Sequence, residues 1–412
     1  MSKQCRLTYL SALVLVSAMC LTGCGGNTNA CSSGAGTTGG TSGGPSSGTV
    51  TSNGGCPVSG GNGGGTGGGG ATSTNTLVYY MGTSADIQGA SLTSSGVFAN
   101  LSPYTPPILP SNSVNNMAIA DGQFLYIPMN GFSNVQAFSI NRTTGALTTV
   151  AGSPFPAQAA DDSLTVDPSG HFLFVGGRFA SSISVYQINA TTGALTPVAG
   201  SPFQSFNLVF ANSLTVDSTG KFLYVGQTFG SNPVVAFSIN QTTGALSEIA
   251  GSPFPLGVSV LQADPTANFL LGLADDSGAS GDKHIHVFSI DPNSGALSAV
   301  AGAPVTTTST PFALAVHPTG GFVYVSTADD NQLVTNMEGF QIDATTGALN
   351  LLTGSPFNLV VAECQFGQSG ADAVCLSAAG LSVLNVDPNS GAFSHTVPDL
   401  TAPNAFPFAI TE

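Results

Sequence analysis

Few side chains in this 412-residue sequence could hold a charged ligand, and they lie in short polar segments between apolar runs. Arg178 and Lys283, with His284 beside it, are the groups placed to grip an anion through charge-assisted hydrogen bonds. His284 and His286 would share one face of an extended segment and could offer two imidazoles to a metal. No clear third ligand accompanies them, so surface or packing roles are the favoured reading of that pair. Carboxylates come as neighbours: Asp161-Asp162, Asp275-Asp276 with Asp282 close by, and Asp329-Asp330. Adjacent carboxylates repel, and pairs converging from several segments could share a Ca2+ ion. No spaced calcium loop is present, which favours solvated loop charge and no cofactor, with calcium kept as the alternative.

These residues must be positioned by a repeat. Thr-Thr-Gly-Ala-Leu or a variant recurs with its glycine at Gly145, Gly193, Gly244, Gly295, Gly347 and Gly391, and a worn copy sits at Gly96. A period near 50 without helical patterning predicts an all-β chain folded as a seven-bladed β-propeller, one blade per copy. Within one unit, Ser163 to Val166, His171 to Gly176, Ser182 to Ile188 and Ala194 to Ala199 read as four strands, separated by Asp-Pro or Gly turns. Turns joining first to second and third to fourth strands repeat almost unchanged, whereas the other loops vary. The two sets emerge on opposite faces, and the variable face is the expected ligand face. Asp167, Asp217, Asp264 and His317 fall in the repeated turns, with Arg142 and Lys221, and the first four read as turn formers. Phe155, Phe203, Phe254 and Phe357, each following Gly-Ser-Pro or an equivalent, read as wedges between blades.

The ends of the β region are incomplete in a complementary way. Thr76 to Met81 matches a second strand with no first strand before it, and Phe408 to Glu412 matches a first strand with nothing after it. Joining them would complete the seventh blade and close the ring.

Residues 1–23 read as a secretory signal, with Lys3 and Arg6 ahead of an apolar run from Leu7 to Leu21. The run closes with Leu21-Thr22-Gly23-Cys24, which resembles the lipobox of bacterial lipoproteins, a family in which Cys24 would be lipidated and anchor the chain to a membrane. Residues 24–75 are almost wholly Gly, Ser, Thr and Asn, a flexible linker spanning on the order of 40 Å. The globular part, 76–412, is then expected outside the cytoplasm, on the outer-membrane or periplasmic side of a bacterial envelope. Past Cys24 only Arg142, Arg178, Lys221 and Lys283 oppose 21 acidic residues. That balance argues against nucleic acid as a partner. A monomer is expected. Cys364 and Cys375 lie at equal distances from a Ser369-Gly370 turn, so a two-residue hairpin would set them opposite each other and allow a disulfide. Cys31 and Cys56 lie in the linker, and their pairing stays open.

The hairpin Leu-x-Val-Asp-Pro-x-Gly with Phe-Leu-Phe-Val, the Thr-Gly-Ala-Leu hairpin and the following Gly-Ser-Pro-Phe together resemble the lactonase-type seven-bladed propellers. These include 6-phosphogluconolactonase and the carboxymuconate-lactonising enzyme. The resemblance covers 76–412 and implies hydrolysis of a lactone, with Arg178, Lys283 and His284 as candidate anion-binding groups. Cations are nonetheless scarce for such a role. The alternative is a non-catalytic surface propeller that binds a protein, glycan or small ligand.

Overall fold

Each copy of the repeat folds as an antiparallel four-stranded sheet, because two glycine turns reverse the chain at the same end of the unit. The computed structural model describes residues 76–411 except 83–84, 94–96, 102–106, 108, 110–113, 130, 158–160, 178–180, 229–232, 267, 275–280, 330, 332, 368, 395–399 and 402–405. Residues 1–75, where a signal and linker are expected, with Cys24, Cys31 and Cys56, lie outside the described residues, as do Arg178, Asp275, Asp276 and Asp330 and the side chains of Asp161 and Asp162.

Seven such sheets are present, and their first strands neighbour one another around a common axis. Blade 2 shows the build, from the inner strand Asp161–Val166 through Phe172–Gly177 and Ser182–Ile188 to the outer Leu195–Pro197. In its first turn Asp167 Oδ1 accepts the Phe172 N–H at 2.6 Å. In its second turn Asn189 Oδ1 accepts the N–H groups of Thr191 and Thr192, both at 3.0 Å. Short acceptor side chains that satisfy the backbone locally are what fix such turns. Asn141, Asn240, Asp291, Asp343 and Asp387 repeat the second device.

The glycine of the repeat has a second duty. Gly193 adopts φ +72°, and its carbonyl accepts the Tyr126 hydroxyl of the preceding blade at 2.9 Å. A Cβ added there would lie 2.3 Å from Phe124 Cδ1. Tyr79–Gly145, Tyr224–Gly295 and Tyr324–Gly391 make the same interblade bond. Gly193→Ala should therefore cost about 2–4 kcal/mol, adding left-handed backbone strain to overpacking. Urea unfolding of the variant checks this, and an unchanged midpoint would contradict the docking role.

Apolar side chains bury between blades rather than within them, in seven clusters that each draw on two adjacent blades. One joins Tyr126, Val135 and Ala137 of blade 1 to Leu164, Leu173 and Tyr186 of blade 2. Phe155 and Phe203 pack against such clusters, and Phe254 belongs to one. They also begin a short extra segment. Phe155 and Phe203 pair with Val135 and Ile183 of the third strand, while Phe254 and Phe357 make single bridges to Val234 and Met337. The preceding serine holds the corner, as where Ser201 Oγ accepts the Val185 N–H at 2.9 Å. The extra segment covers the part of the third strand that the short outer strand leaves open.

Blade 7 is shared by the termini. Phe408–Ile410 supplies its inner strand and pairs with Thr76–Met81, while Ile87–Leu92 and Phe98–Asn100 complete it. Thr411 tightens the junction, giving its N–H to Leu77 O and accepting the Leu77 N–H on Oγ1, both at 2.8 Å. In blade 6, Cys364 and Cys375 stand directly opposite in register and form a buried disulfide.

Candidate active site

The inner strands are the elements that bring different blades together, so chemistry shared between blades must come from them. In blades 2, 3, 5 and 6 the inner strand carries one additional residue at the same level, at 162, 212, 312 and 362. Such bulges bend a strand and re-aim its side chains. Just beyond each bulge stand Ser163, Ser213, Ala313 and Glu363.

The two serines tie blades together. Ser163 Oγ donates to Ala211 O at 3.2 Å, and Ser213 Oγ bonds both the carbonyl and the N–H of Leu261. In blade 6 the reach to the next inner strand is made by Gln365 instead, whose Nε2 donates to Phe408 O at 2.9 Å. Among the described residues Glu363 is left with one long contact, from the same amide at 3.4 Å. The residue as a whole is half-buried, and its carboxyl is enclosed by the chain. Burial pushes it up to about 7, against the weaker opposing effect of the Gln365 contact. A carboxyl that titrates near neutrality, two residues from a cavity-lining glutamine on the same strand, is a group suited to general acid–base chemistry.

Gln365 also lines a cavity of about 320 Å3 at the repeated-turn end of the inner strands of blades 4, 5 and 6, together with Gln262, Ala315, Pro318 and Phe366. Gln262 Oε1 accepts the Val316 N–H at 3.1 Å, so its amide nitrogen carries the donors left for a ligand. The polar lining is thus built of side-chain amides.

Of the residues singled out in the sequence, Lys283, His284, His286, Asp282, Asp329 and His317 are described, and they lie elsewhere. Lys283 and His284 are at the loop-face start of the third strand of blade 4, two strands out from the axis. His284, His286 and Asp282 cluster there, Asp282 bonding the Nδ1 of His284 and, at 3.1 Å, the Nε2 of His286. Burial opposes ionisation of Asp282, yet these hydrogen bonds outweigh it and hold its pKa below the ordinary value. The carboxylate sits between the imidazoles, and among the described residues no group of three ligands could hold a metal ion. Asp329 closes its own loop by accepting the N–H groups of Leu333 and Asn331, and those bonds hold its pKa low. His317, beyond forming its turn, reaches blade 6 through Nε2 to Gly370 O at 2.9 Å.

Glu363 and the two glutamines went unnoticed in the sequence. The signal was there: aligning the repeats sets Glu-Cys-Gln-Phe against Ser-Leu-Thr-Val, an acid inside a strand where other copies carry small neutral residues.

Residues 116–261 match the family model of the lactonase seven-bladed β-propellers. A sequence search of curated proteins finds no match. The fold is similar to that of a Bacteroides uniformis protein assigned as a 6-phosphogluconolactonase, at TM-score 0.64 and 15% identity over 82% of this chain and 99% of that one. It is similar to the periplasmic gluconolactonase of Pseudomonas aeruginosa, at TM-score 0.63 and 18% identity over 82% and 99%. A Lactobacillus plantarum protein aligns with TM-score 0.62 and 17% identity over the same shares. The chain is a seven-bladed β-propeller that carries, over blades 1 to 3 and into blade 4, the sequence signature of the lactonase propeller family.

Proposed function

We propose that this protein is an exported, lipid-anchored hydrolase that opens an uncharged sugar lactone. The reaction class comes from the lactonase signature. The substrate's charge follows from one observation, that the polar lining of the axial cavity is Gln262 and Gln365, with no cation among its described residues. Amides donate to and accept from hydroxyl groups, whereas a phosphorylated or carboxylated ring would call for Arg or Lys. Among the described residues Arg142 and Lys221 belong to the repeated turns, Arg142 donating to Gly122 O, and Lys283 is two strands from the axis. The lipobox-like Cys24 supports export, and so does a buried disulfide, which persists in oxidising compartments. The Pseudomonas aeruginosa relative, periplasmic and named for gluconolactone, fits the same picture.

Purified protein given glucono-δ-lactone and its 6-phosphate should favour the uncharged lactone by at least about tenfold in kcat/KM, since an unpaired phosphate entering an amide-lined site loses more than 1.4 kcal/mol. Equal or reversed preference would overturn the substrate class. A second reading, a non-catalytic binder, draws on the loop face, where Phe206 is fully exposed and Val209 lies half-exposed three residues on. Hydrolysis of neither lactone above the solvent rate would favour it.

A further inference from the structure

We propose that Glu363 is the catalytic base of this protein, activating the water that opens a lactone ring held in the axial cavity. The inference rests on the lactonase reading and adds the reacting group to it. Three observations carry it. Glu363 stands beyond the bulge of a strand that faces the axis, where blades 2 and 3 place a serine committed to an interblade bond. Among the described residues its one hydrogen bond comes from Gln365, a residue that also lines the 320 Å3 cavity, so a ligand there lies one side chain away. Among the described residues, the ionisable groups on the strands packed around it are each engaged elsewhere. Thr310–Val316 and Phe408–Ile410 hold none; Asp372–Ser377 holds Asp372, engaged by Asn385 Nδ2 at 2.6 Å at the turn end, beside the disulfide-bonded Cys375. Val334–Ile342 holds the buried Glu338, whose Oε1 accepts the Thr308 N–H at 2.8 Å and its hydroxyl at 2.6 Å, and Phe322–Ala328 holds Tyr324, which donates to Gly391 O.

The step balances with water as the only co-reactant. The Glu363 carboxylate takes a proton from water as the water oxygen bonds to the lactone carbonyl carbon. The carbonyl π electrons move to its oxygen, which the amide nitrogen of Gln262, lining the same cavity, can stabilise by donating a hydrogen bond. Collapse of that intermediate breaks the ring C–O bond, and the proton held by Glu363 passes to the departing ring oxygen. The product is the open hydroxy acid, and the carboxylate is regenerated. Gln365 acts as a positioning residue, its amide fixed on Phe408 O while it orients the carboxyl.

Burial that raises Glu363 to about 7 gives a group half ionised at neutral pH, so kcat/KM should rise with pH and level off above an ionisation near 7. The test is hydrolysis of glucono-δ-lactone from pH 5 to 8.5, corrected for the solvent reaction, by wild type, Glu363→Gln and Glu363→Asp, with folding verified by circular dichroism. Glu363→Gln should lose about 10²- to 10⁴-fold in kcat/KM together with the ionisation near 7. Glu363→Asp should keep part of the activity, with its ionisation shifted. A Gln variant within threefold of wild type and with the same pH profile overturns the role of Glu363 and leaves the lactonase reading standing. A wild type that does not exceed the solvent rate overturns both. If Glu363→Gln does not fold, the wild-type profile decides, and a rate flat between pH 6 and 8 overturns the proposal.

Discussion

Deleting Phe408 to Glu412 should abolish cooperative folding of the whole ring, although the cut removes only the end of the chain. The segment is the inner strand of blade 7, so its loss opens the sheet at Thr76–Met81 and strips two interfaces at once. Phe408 is buried in the cluster between blades 6 and 7, and Ala409 in the cluster between blades 7 and 1. Removing those side chains with Ile410 forfeits about 5 kcal/mol of burial, at about 1.5–3 kcal/mol for each large one. The Thr411–Leu77 pair and the Gln365–Phe408 bond go with them, leaving the Leu77 backbone groups and the Gln365 amide unsatisfied at about 1–3 kcal/mol each. The sum is comparable with the about 5–15 kcal/mol that holds a typical domain together. Thermal unfolding by circular dichroism, with limited proteolysis, reads the outcome. A truncated protein that melts at the wild-type temperature would show that the ring does not depend on its closure.

That closure was legible in the sequence, and the reason is physical. Positive-φ turns tolerate few residue types, so Gly145, Gly193, Gly244, Gly295, Gly347 and Gly391 mark the same hairpin in six blades and expose the missing strand at either end. The register that sets Cys364 against Cys375 follows from the same hairpin arithmetic. The extra edge segments were hidden because two paired residues are too few to show alternation. The axial site was hidden for another reason. Glu363 owes its raised pKa to enclosure by blades distant in sequence, a rise only partly offset by Gln365, whose amide is held by Phe408 O, 43 residues away. The sequence displays the acid but not the packing that tunes it. Charge counting led instead to Lys283 and His284, which the strand order places away from the axis.

Glu363→Gln should be more stable than wild type at pH 8, by about 2 kcal/mol. A carboxyl raised from 4.5 to about 7 by folding keeps its proton in the native state over a range where the unfolded chain has already lost it. The native state then binds more protons, so stability falls as pH rises from about 4.5 to 7 and stays reduced above that window. The shift is worth at most about 3 kcal/mol, and water in the axial channel lowers the realised value. Turn carboxylates act in the opposite sense. Asp291, Asp343 and Asp387 are held below their ordinary pKa by backbone N–H groups of their own turns, and their contribution is lost as pH falls through those lowered values. Wild type should therefore be most stable near pH 5 and weaken toward pH 8, whereas the glutamine variant should show little change between pH 5 and 8. Urea unfolding at pH 5, 6.5 and 8 separates the two curves. Parallel curves would mean that Glu363 is not desolvated in the native state, and a carboxyl that costs the fold nothing would have no raised pKa to bring to catalysis. A destabilising acid kept inside the ring is what a working residue looks like, since a neutral side chain there would serve the scaffold better.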